Sequence, residues 1–350
     1  MQASSARTIG KERVGEWLGR LLTTTEVIAP ALAHAGDVLF RRISSPAEVQ
    51  WDTDNPLSPP KQVVLPQTDP LAAIRRGSDG FTVEPVYDER SRVLLAVRSC
   101  DAKGIAFLTS MHGADLPDTA YLRRVAAVTV VSVACTKPCP LGFCICCDAG
   151  PFLADSFDVQ LTDLGDRFLA EVGSEKGSRL LEPSADLFRP AAVNEVERRR
   201  ELEEQAKRAF GPETCHFASA MRRVSTGRVS AELWDEIAGS CLECGACNFV
   251  CPTCYCFSVK DQRRDGHWVR CRTWDSCQFR AFTLEASGHN PRQDHRERVK
   301  RRFFHKVSAQ YFRRDGAIGC VGCGRCVKVC LGTTDMPAVV AAIREGAWHG

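Results

Sequence analysis

The stretch CLECGACNFVCPTC, residues 241–254, places five cysteines in fourteen positions, and CVGCGRCVKVC follows at 320–330. By spacing the first is C-x2-C-x2-C-x3-C-P, formed by Cys241, Cys244, Cys247, Cys251 and Pro252. The second repeats it with Cys320, Cys323, Cys326 and Cys330. This is the ligand spacing of bacterial two-cluster ferredoxins. Three cysteines two residues apart wrap a tight loop round three corners of an iron–sulfur cubane. The fourth points away and reaches the other cluster. The spacing therefore assigns one [4Fe–4S] cluster to Cys241, Cys244, Cys247 and Cys330, and a second to Cys320, Cys323, Cys326 and Cys251. Gly245 and Gly324, after the second cysteine of each run, are read as points of close backbone approach to a cluster. Structural zinc sites present paired C-x2-C ligands, not two triplets with a trailing fourth. One departure stands out: Leu331 follows Cys330 where proline is usual. Proline is no ligand, so the cluster should survive with an altered turn and potential.

The remaining composition is that of a soluble globular chain. The 350 residues suffice for two or three domains, and 44% apolar with 25% charged residues is ordinary. Such a chain buries a core without staples. A net charge of +3 implies no polyanionic partner. The 19 cysteines are an odd number in a long chain, unlike a secreted disulfide scaffold. The start, MQASSARTIGKERVGEWLGR, has no apolar signal-peptide core. VIAPALAHAGDVLF is broken by Pro30 and is too short to span a bilayer. The reading is a cytoplasmic protein, not in a membrane, whose reduced thiols bind metal.

Along the chain, GKERVGEWLGRLLTT has Val14, Trp17, Leu18, Leu21 and Leu22 at helical spacing. NPLSPPKQVVLPQTDP reads as an extended linking stretch. RVLLAV (92–97), DAKGIAFLTSMH (101–112, with Asp101 as N-cap) and VAAVTVVSVA (125–134) read as strand, helix, strand. Such a βαβ unit makes its strands parallel, which puts Cys100 and Cys135 at one carboxyl edge, where α/β sheets bind ligands. FDVQLTDLGDRFLAEVG (157–173) alternates like a hairpin. NEVERRRELEEQAKRAF (194–210) reads as a charged helix, with Glu203–Lys207 and Glu204–Arg208 in the favourable order. SAELWDEIAGS (230–240) is a short helix capped by Ser230, stopped at Gly239 and leading into Cys241. The expected fold class is α+β. An N-terminal α/β domain with a parallel βαβ unit (1–190) is followed by a helical connector (191–238). A dicluster ferredoxin-like domain (239–350) follows, covered by its own long insertion (255–319).

CLECGACNFVCPTCYCF, WDSCQFRAFTLEASGHNPR and CVGCGRCVKVC together resemble the iron–sulfur beta subunit of cytosolic sulfhydrogenases, NAD(P)-linked [NiFe] hydrogenases with sulfur reductase activity. The same family includes the electron-transfer subunit of anaerobic sulfite reductase. PPKQVVLPQTDPL, AVRSCDAKGIAFL, YLRRV, GFCICCDAGP and DVQLTDLGDRFLAEVGSEKG extend the resemblance in order over most of the chain. It implies an electron-transfer subunit of a multi-subunit oxidoreductase. The chain would relay between two partners, a flavin-containing NAD(P)H reductase subunit on one side and a catalytic subunit on the other, with no active site of its own. The catalytic partner expected first is a hydrogenase, and second a sulfite reductase.

Cys100, Cys135, Cys144 and Cys146 suggest a third Fe–S cluster. The first two meet by the βαβ argument, and the others lie in CTKPCPLGFCICCDAGP, the loop leaving the second strand. The resembling family segments carry these positions too. Cys139 and Cys147 are alternative ligands, and the competing readings are buried free cysteines or zinc. Such a cluster would give an alternative function, reduction of a sulfur or disulfide substrate by this chain itself. Cys254, Cys256, Cys271 and Cys277 are expected to pack around the clusters and tune them. DHRERVKRRFFHKV (294–307) reads as a solvated helix face with Val299, Phe303 and Val307 inward, not a nucleic-acid site. His216, His267, His289, His295 and His305 are scattered and receive no catalytic role. No G-x-G-x-x-G follows a strand, which places nicotinamide and flavin on a partner.

Overall fold

A computed structural model describes residues 6–212 and 215–350. The chain begins β1 (Ala6–Gly10), α1 (Lys11–Thr24), β2 (Glu26–Leu32), β3 (Val38–Arg42), α2 (Lys61–Val64), β4 (Thr68–Gly77) and β5 (Gly80–Pro85). It continues with β6 (Arg92–Arg98), α3 (Ser99–Gly113), α4 (Thr119–Ala126), β7 (Val128–Val133), β8 (Val159–Asp163), β9 (Arg167–Val172), α5 (Glu175–Leu181) and β10 (Arg189–Pro190). Three helices then run to the first cysteines: α6 (Val193–Phe210), α7 (Phe217–Ser225) and α8 (Ala231–Ser240). The last part holds α9 (Ala246–Phe249), β11 (Phe257–Arg264), β12 (His267–Trp274), α10 (His295–Val307), α11 (Ala309–Asp315), α12 (Arg325–Val329) and α13 (Met336–Glu345). Among the described residues no helix is long and apolar enough to cross a membrane.

The fold is α+β. An eight-stranded sheet has the order β10-β1-β9-β8-β7-β6-β2-β3. Its centre is parallel, with β2 on β6, β6 on β7 and β7 on β8, and its flanks are antiparallel. Both faces are covered, which is why the central strands read as continuous apolar runs. Val93, Leu95, Val131 and Val133 meet Val14, Trp17, Leu18 and Leu21 of α1 on one face. Leu94, Val128 and Val130 meet Ala102, Ile105 and Leu108 of α3 on the other. Burying each such valine, leucine or isoleucine side chain contributes roughly 1.5–3 kcal/mol. The parallel β6–β7 pair and the β8–β9 hairpin agree with the sequence pattern.

Several local expectations change. The second strand starts at Val128, not 125, because α4 occupies the preceding residues. Asp118 caps α4 by accepting from the Tyr121 amide at 3.0 Å. Asp101 is not an N-cap: it lies inside the first turn of α3, fully buried, with another partner described below. α8 is capped by Ser230 as expected but runs through Gly239 to Ser240, so Cys241 itself ends it. Lys207 pairs with Glu203 at 2.9 Å, whereas Arg208 turns to the Glu204 carbonyl at 3.2 Å instead of its carboxylate.

The Pro-rich stretch is not a free linker. It forms α2 and the start of β4, and Lys61 within it is buried. β4 then builds a second, antiparallel sheet of order β11-β12-β4-β5. This sheet pairs residues 68–85 with residues 257–274, so the insertion between the cysteine runs joins the N-terminal part of the chain. A buried ionic network fastens the sheet to α4. Asp69 accepts from Arg124 at 2.5 Å and from Arg272 at 2.7 Å, and Arg272 also pairs with Asp118. The helices before Cys241 do more than connect. Ala220, Val224, Leu233 and Ile237 form one core with Val299, Phe303 and Val307 of α10 and Val339, Val340 and Ile343 of α13.

Candidate metal centres

Each cysteine run is a loop followed by a single helical turn, and each turn begins at a glycine with left-handed backbone. Gly245 has φ 71° before α9, and Gly324 has φ 76° before α12. The close approach at these glycines is to protein. A Cβ on Gly245 would stand 2.8 Å from the Phe279 ring, and one on Gly324 would overlap the Leu141 carbonyl oxygen.

The tails of the two runs cross. After Cys330 the chain lies against the start of the first run, where a Cβ on Gly332 would overlap the Ser240 carbonyl oxygen. The Thr334 hydroxyl sits 3.4 Å from Cys330 Sγ and also acts on Cys241. Cys247 lies within electrostatic reach of Cys241, and Cys244 is exposed at the loop tip. On the other side, the Thr253 hydroxyl donates to the Gly319 carbonyl at 2.8 Å, which holds Cys251 beside the second run. Cys251 acts on both Cys320 and Cys323, and those two act on Cys326. Among the described residues no three His, Cys, Asp or Glu side chains converge on a single-ion position.

Buried cations accompany these thiols, and the sequence did not reveal them. In α10, Val299, Phe303 and Val307 face the core as expected, but Arg298, Arg302 and Lys306 are buried too. The basic helix is therefore not a solvated face. Lys306 Nζ donates to Cys251 Sγ at 3.4 Å and to the Thr253 hydroxyl at 2.5 Å. Burial opposes its charge, yet Cys251, Cys254 and Cys320 together raise its pKa above that of an ordinary lysine. Arg302 donates to the Thr334 carbonyl at 3.0 Å, lies beside Cys247 and Cys326, and leaves its Nε buried without a partner. Arg298 pairs with Glu243 at 2.6 Å. Lys61 reaches the carbonyls of Cys251 at 2.8 Å and Cys254 at 3.0 Å, and burial lowers its pKa. Cys251 titrates well below an ordinary thiol through its hydrogen bond with Cys254 and through Lys306 and Lys61, against burial. A cubane held by four thiolates carries negative charge, so a buried guanidinium with an orphaned N–H beside two sets of thiols suits that group.

A second clamp ties α3 to the second run. Asp101 and Arg325 form a fully buried two-pronged pair at 2.6 and 2.7 Å, and Arg325 Nε also donates to the Pro56 carbonyl at 2.7 Å. Arg325 is visible inside CVGCGRC, but its partner lies 224 residues away.

Of the N-terminal cysteines, Cys100, Cys135 and Cys144 line one enclosed cavity, together with Cys139, Gly322 and Cys323. The structure does not bring Cys146 there. It lies with Cys147 and Cys215 on the side facing Cys320, where Cys147 hydrogen-bonds to Cys320. The other four cysteines do not form one set. The free thiol of Cys254 hydrogen-bonds with Cys251 and that of Cys256 with Cys277, while Cys271 is buried within β12. The hydrogen bond between Cys277 and Cys256, with Gln278, Asn248 and Arg302 beside Cys277, lowers the Cys277 thiol to about 6. A cleft of about 660 Å³ opens at the carboxyl edge of the parallel strands. Cys135 and Cys139 stand in its wall with Lys11, Arg98, Lys137, Trp51 and Phe168.

Comparison with known proteins agrees with the site. The family model of the 4Fe-4S dicluster domain matches residues 240–334, from the start of the first run to just past Cys330. Sulfhydrogenase 2 subunit beta of Pyrococcus furiosus is 30% identical over 338 residues, covering 95% of this chain and 96% of that protein. A solved structure, the serine palmitoyltransferase of Sphingomonas wittichii, is 10% identical over 66% of this chain with a TM-score of 0.20. This chain spans 57% of that structure, and a likeness so low carries no argument. The identity over nearly the full length of both chains, with the dicluster model lying on the crossed cysteine runs, places this chain in the family of iron–sulfur beta subunits of sulfhydrogenases, which are electron-transfer subunits.

Proposed function

We propose that Cys241, Cys244, Cys247 and Cys330 hold one [4Fe–4S] cluster and that Cys251, Cys320, Cys323 and Cys326 hold a second. The chain then serves a cytoplasmic complex as relay from or to a flavin-containing NAD(P)H reductase subunit, with a catalytic [NiFe] hydrogenase subunit that also reduces sulfur at the other end. When bound, such clusters supply one-electron transfer at a potential set by charge, hydrogen bonds and burial. The residues of the chain prepare the two places. Lys306 and Arg302 supply fixed positive charge on the buried side, and the Thr334 and Thr253 hydroxyls orient the ligand thiols. Val321 and Met336 exclude water. The observation that carries the reading is Arg302 and Lys306, buried among thiols drawn from both runs.

Two measurements test it. Cys330→Ala is expected to remove the cluster of the first run, although Cys330 belongs to the second. That loss appears as about four fewer iron per chain than in the unaltered protein and as loss of spin coupling in EPR. Retention of all iron would defeat crossed ligation. Isolation of the complex without oxygen is expected to bring down a flavoprotein and a nickel-containing large subunit. A sirohaem protein in place of nickel would move the assignment to sulfite reduction.

A further inference from the structure

We infer that Cys100, Cys135, Cys139 and Cys144 hold a third [4Fe–4S] cluster, lying between Cys323 and the open cleft. The inference extends the relay reading and rests on it. These thiols come from three separate places: the first turn of α3, the residue pair after β7, and the 139–144 loop. They line one enclosed cavity at the carboxyl edge of the parallel strands, where α/β sheets place ligands. Cysteine buried only as a small hydrophobe has no reason to gather four thiols from three segments around one space.

The place is built against the second cysteine run. The Phe143 amide donates to the Gly322 carbonyl at 2.7 Å. A Cβ on Gly322 would overlap the Phe143 carbonyl oxygen, so the two backbones touch. Cys323, a ligand proposed for the second cluster, stands in the cavity wall. The Asn55 amide holds its carbonyl at 2.6 Å, and the Asp101–Arg325 pair locks α3, and with it Cys100, to the same loop. Arg98 lines both the cavity and the cleft and supplies the positive charge that four thiolates require. Cys135 and Cys139 face the cleft as well, so this cluster would be the one nearest an outside redox partner. Cys146 is excluded from the set because it does not line this cavity.

The test uses the full chain, produced without its partners and reconstituted without oxygen, by iron and acid-labile sulfide analysis with low-temperature EPR. About 12 iron per chain is expected. Cys135→Ala and Cys139→Ala should each lower this to about 8 and leave the spin-coupled signal of the ferredoxin pair unchanged, while Cys146→Ala keeps about 12. A count of about 8 in the unaltered chain, with that signal intact, overturns the third cluster alone. A count near zero overturns the relay reading with it. Iron lost from Cys146→Ala but kept in Cys139→Ala overturns the ligand set. The count in the unaltered chain decides the matter even where a variant fails to fold.

Discussion

Lys306 carries its ammonium one residue before a valine that is completely buried, and the two point into different environments. The valine meets the helical core, while the ammonium meets Cys251 and Thr253. Removing a positive charge beside a cluster makes addition of an electron less favourable. Lys306→Met is therefore expected to shift the midpoint of the cluster bearing Cys251 to more negative potential, by on the order of tens of millivolts. Lys306→Arg should restore most of it. An EPR-monitored redox titration measures both, and an unmoved midpoint in Lys306→Met would exclude the role. The neighbouring His305 gives a pH signature. Burial, with Lys306, Arg301 and Arg314 nearby, lowers its pKa to about 3, and Tyr255 bonds to its Nε2 at 3.0 Å. The unfolded chain binds a proton near pH 6.5 that the folded chain refuses, so stability falls as pH drops below about 6.5. The loss is about 2 kcal/mol by about pH 5. Denaturation of His305→Gln at both pH values should show a correspondingly smaller difference than the unaltered chain.

At the scale of elements, the second cysteine loop is held by contacts that come from the N-terminal part. Asp101 on α3 neutralises Arg325 between two cysteines of the run, and both side chains are withdrawn from water. Asp101→Asn leaves the guanidinium buried without a counter-charge, so a loss of about 3–5 kcal/mol is expected in denaturant melts. A loss under about 1 kcal/mol would mean that the pair is dispensable. Gly324 shows why a glycine stands where it does. Its φ of 76° and the overlap of any Cβ with the Leu141 carbonyl both forbid a side chain. Gly324→Ala is expected to push the 139–144 loop off the run. Limited proteolysis should then cut within residues 135–151 at a rate raised at least about tenfold, equivalent to about 1.4 kcal/mol of local opening. α10 shows the complementary lesson: one helix carries an apolar stripe at 299, 303 and 307 and a cationic stripe at 298, 302 and 306, both buried.

At the scale of the whole molecule, the two parts of the chain are not separable. The second sheet takes β4 and β5 from before residue 90 and β11 and β12 from after residue 255. Lys61 and Asp101 reach the two cysteine runs from the same N-terminal part. A fragment of residues 239–350 is therefore expected to aggregate and to hold less than about half the iron of the ferredoxin pair. A monomeric fragment with about 8 iron would show that the dicluster region folds by itself. Removal of the clusters from the full chain would take away the negative charge that Arg302 and Lys306 face, and under-compensated buried charge is costly. Chelation under reducing conditions should thus raise hydrogen exchange in α10 and α12 while the β6–β7 pair stays protected.

By itself the sequence determined the class of the metal site, the parallel β6–β7 pair, the β8–β9 hairpin and the apolar faces of α1 and α10. These follow from local spacing: ligand intervals along a loop, and apolar residues at a period of two or of 3.6. Only the tertiary structure decided that Lys61, Arg302 and Lys306 serve the thiols and that Asp101 answers Arg325. It also decided that Cys139, and not Cys146, lines the cavity with Cys100, Cys135 and Cys144, and that a proline-rich stretch opens a strand of the second sheet. The physical reason is common to all of these. A charge or a thiol shows its type in the sequence, but its partner is set by packing between segments far apart in the chain, which local periodicity does not record.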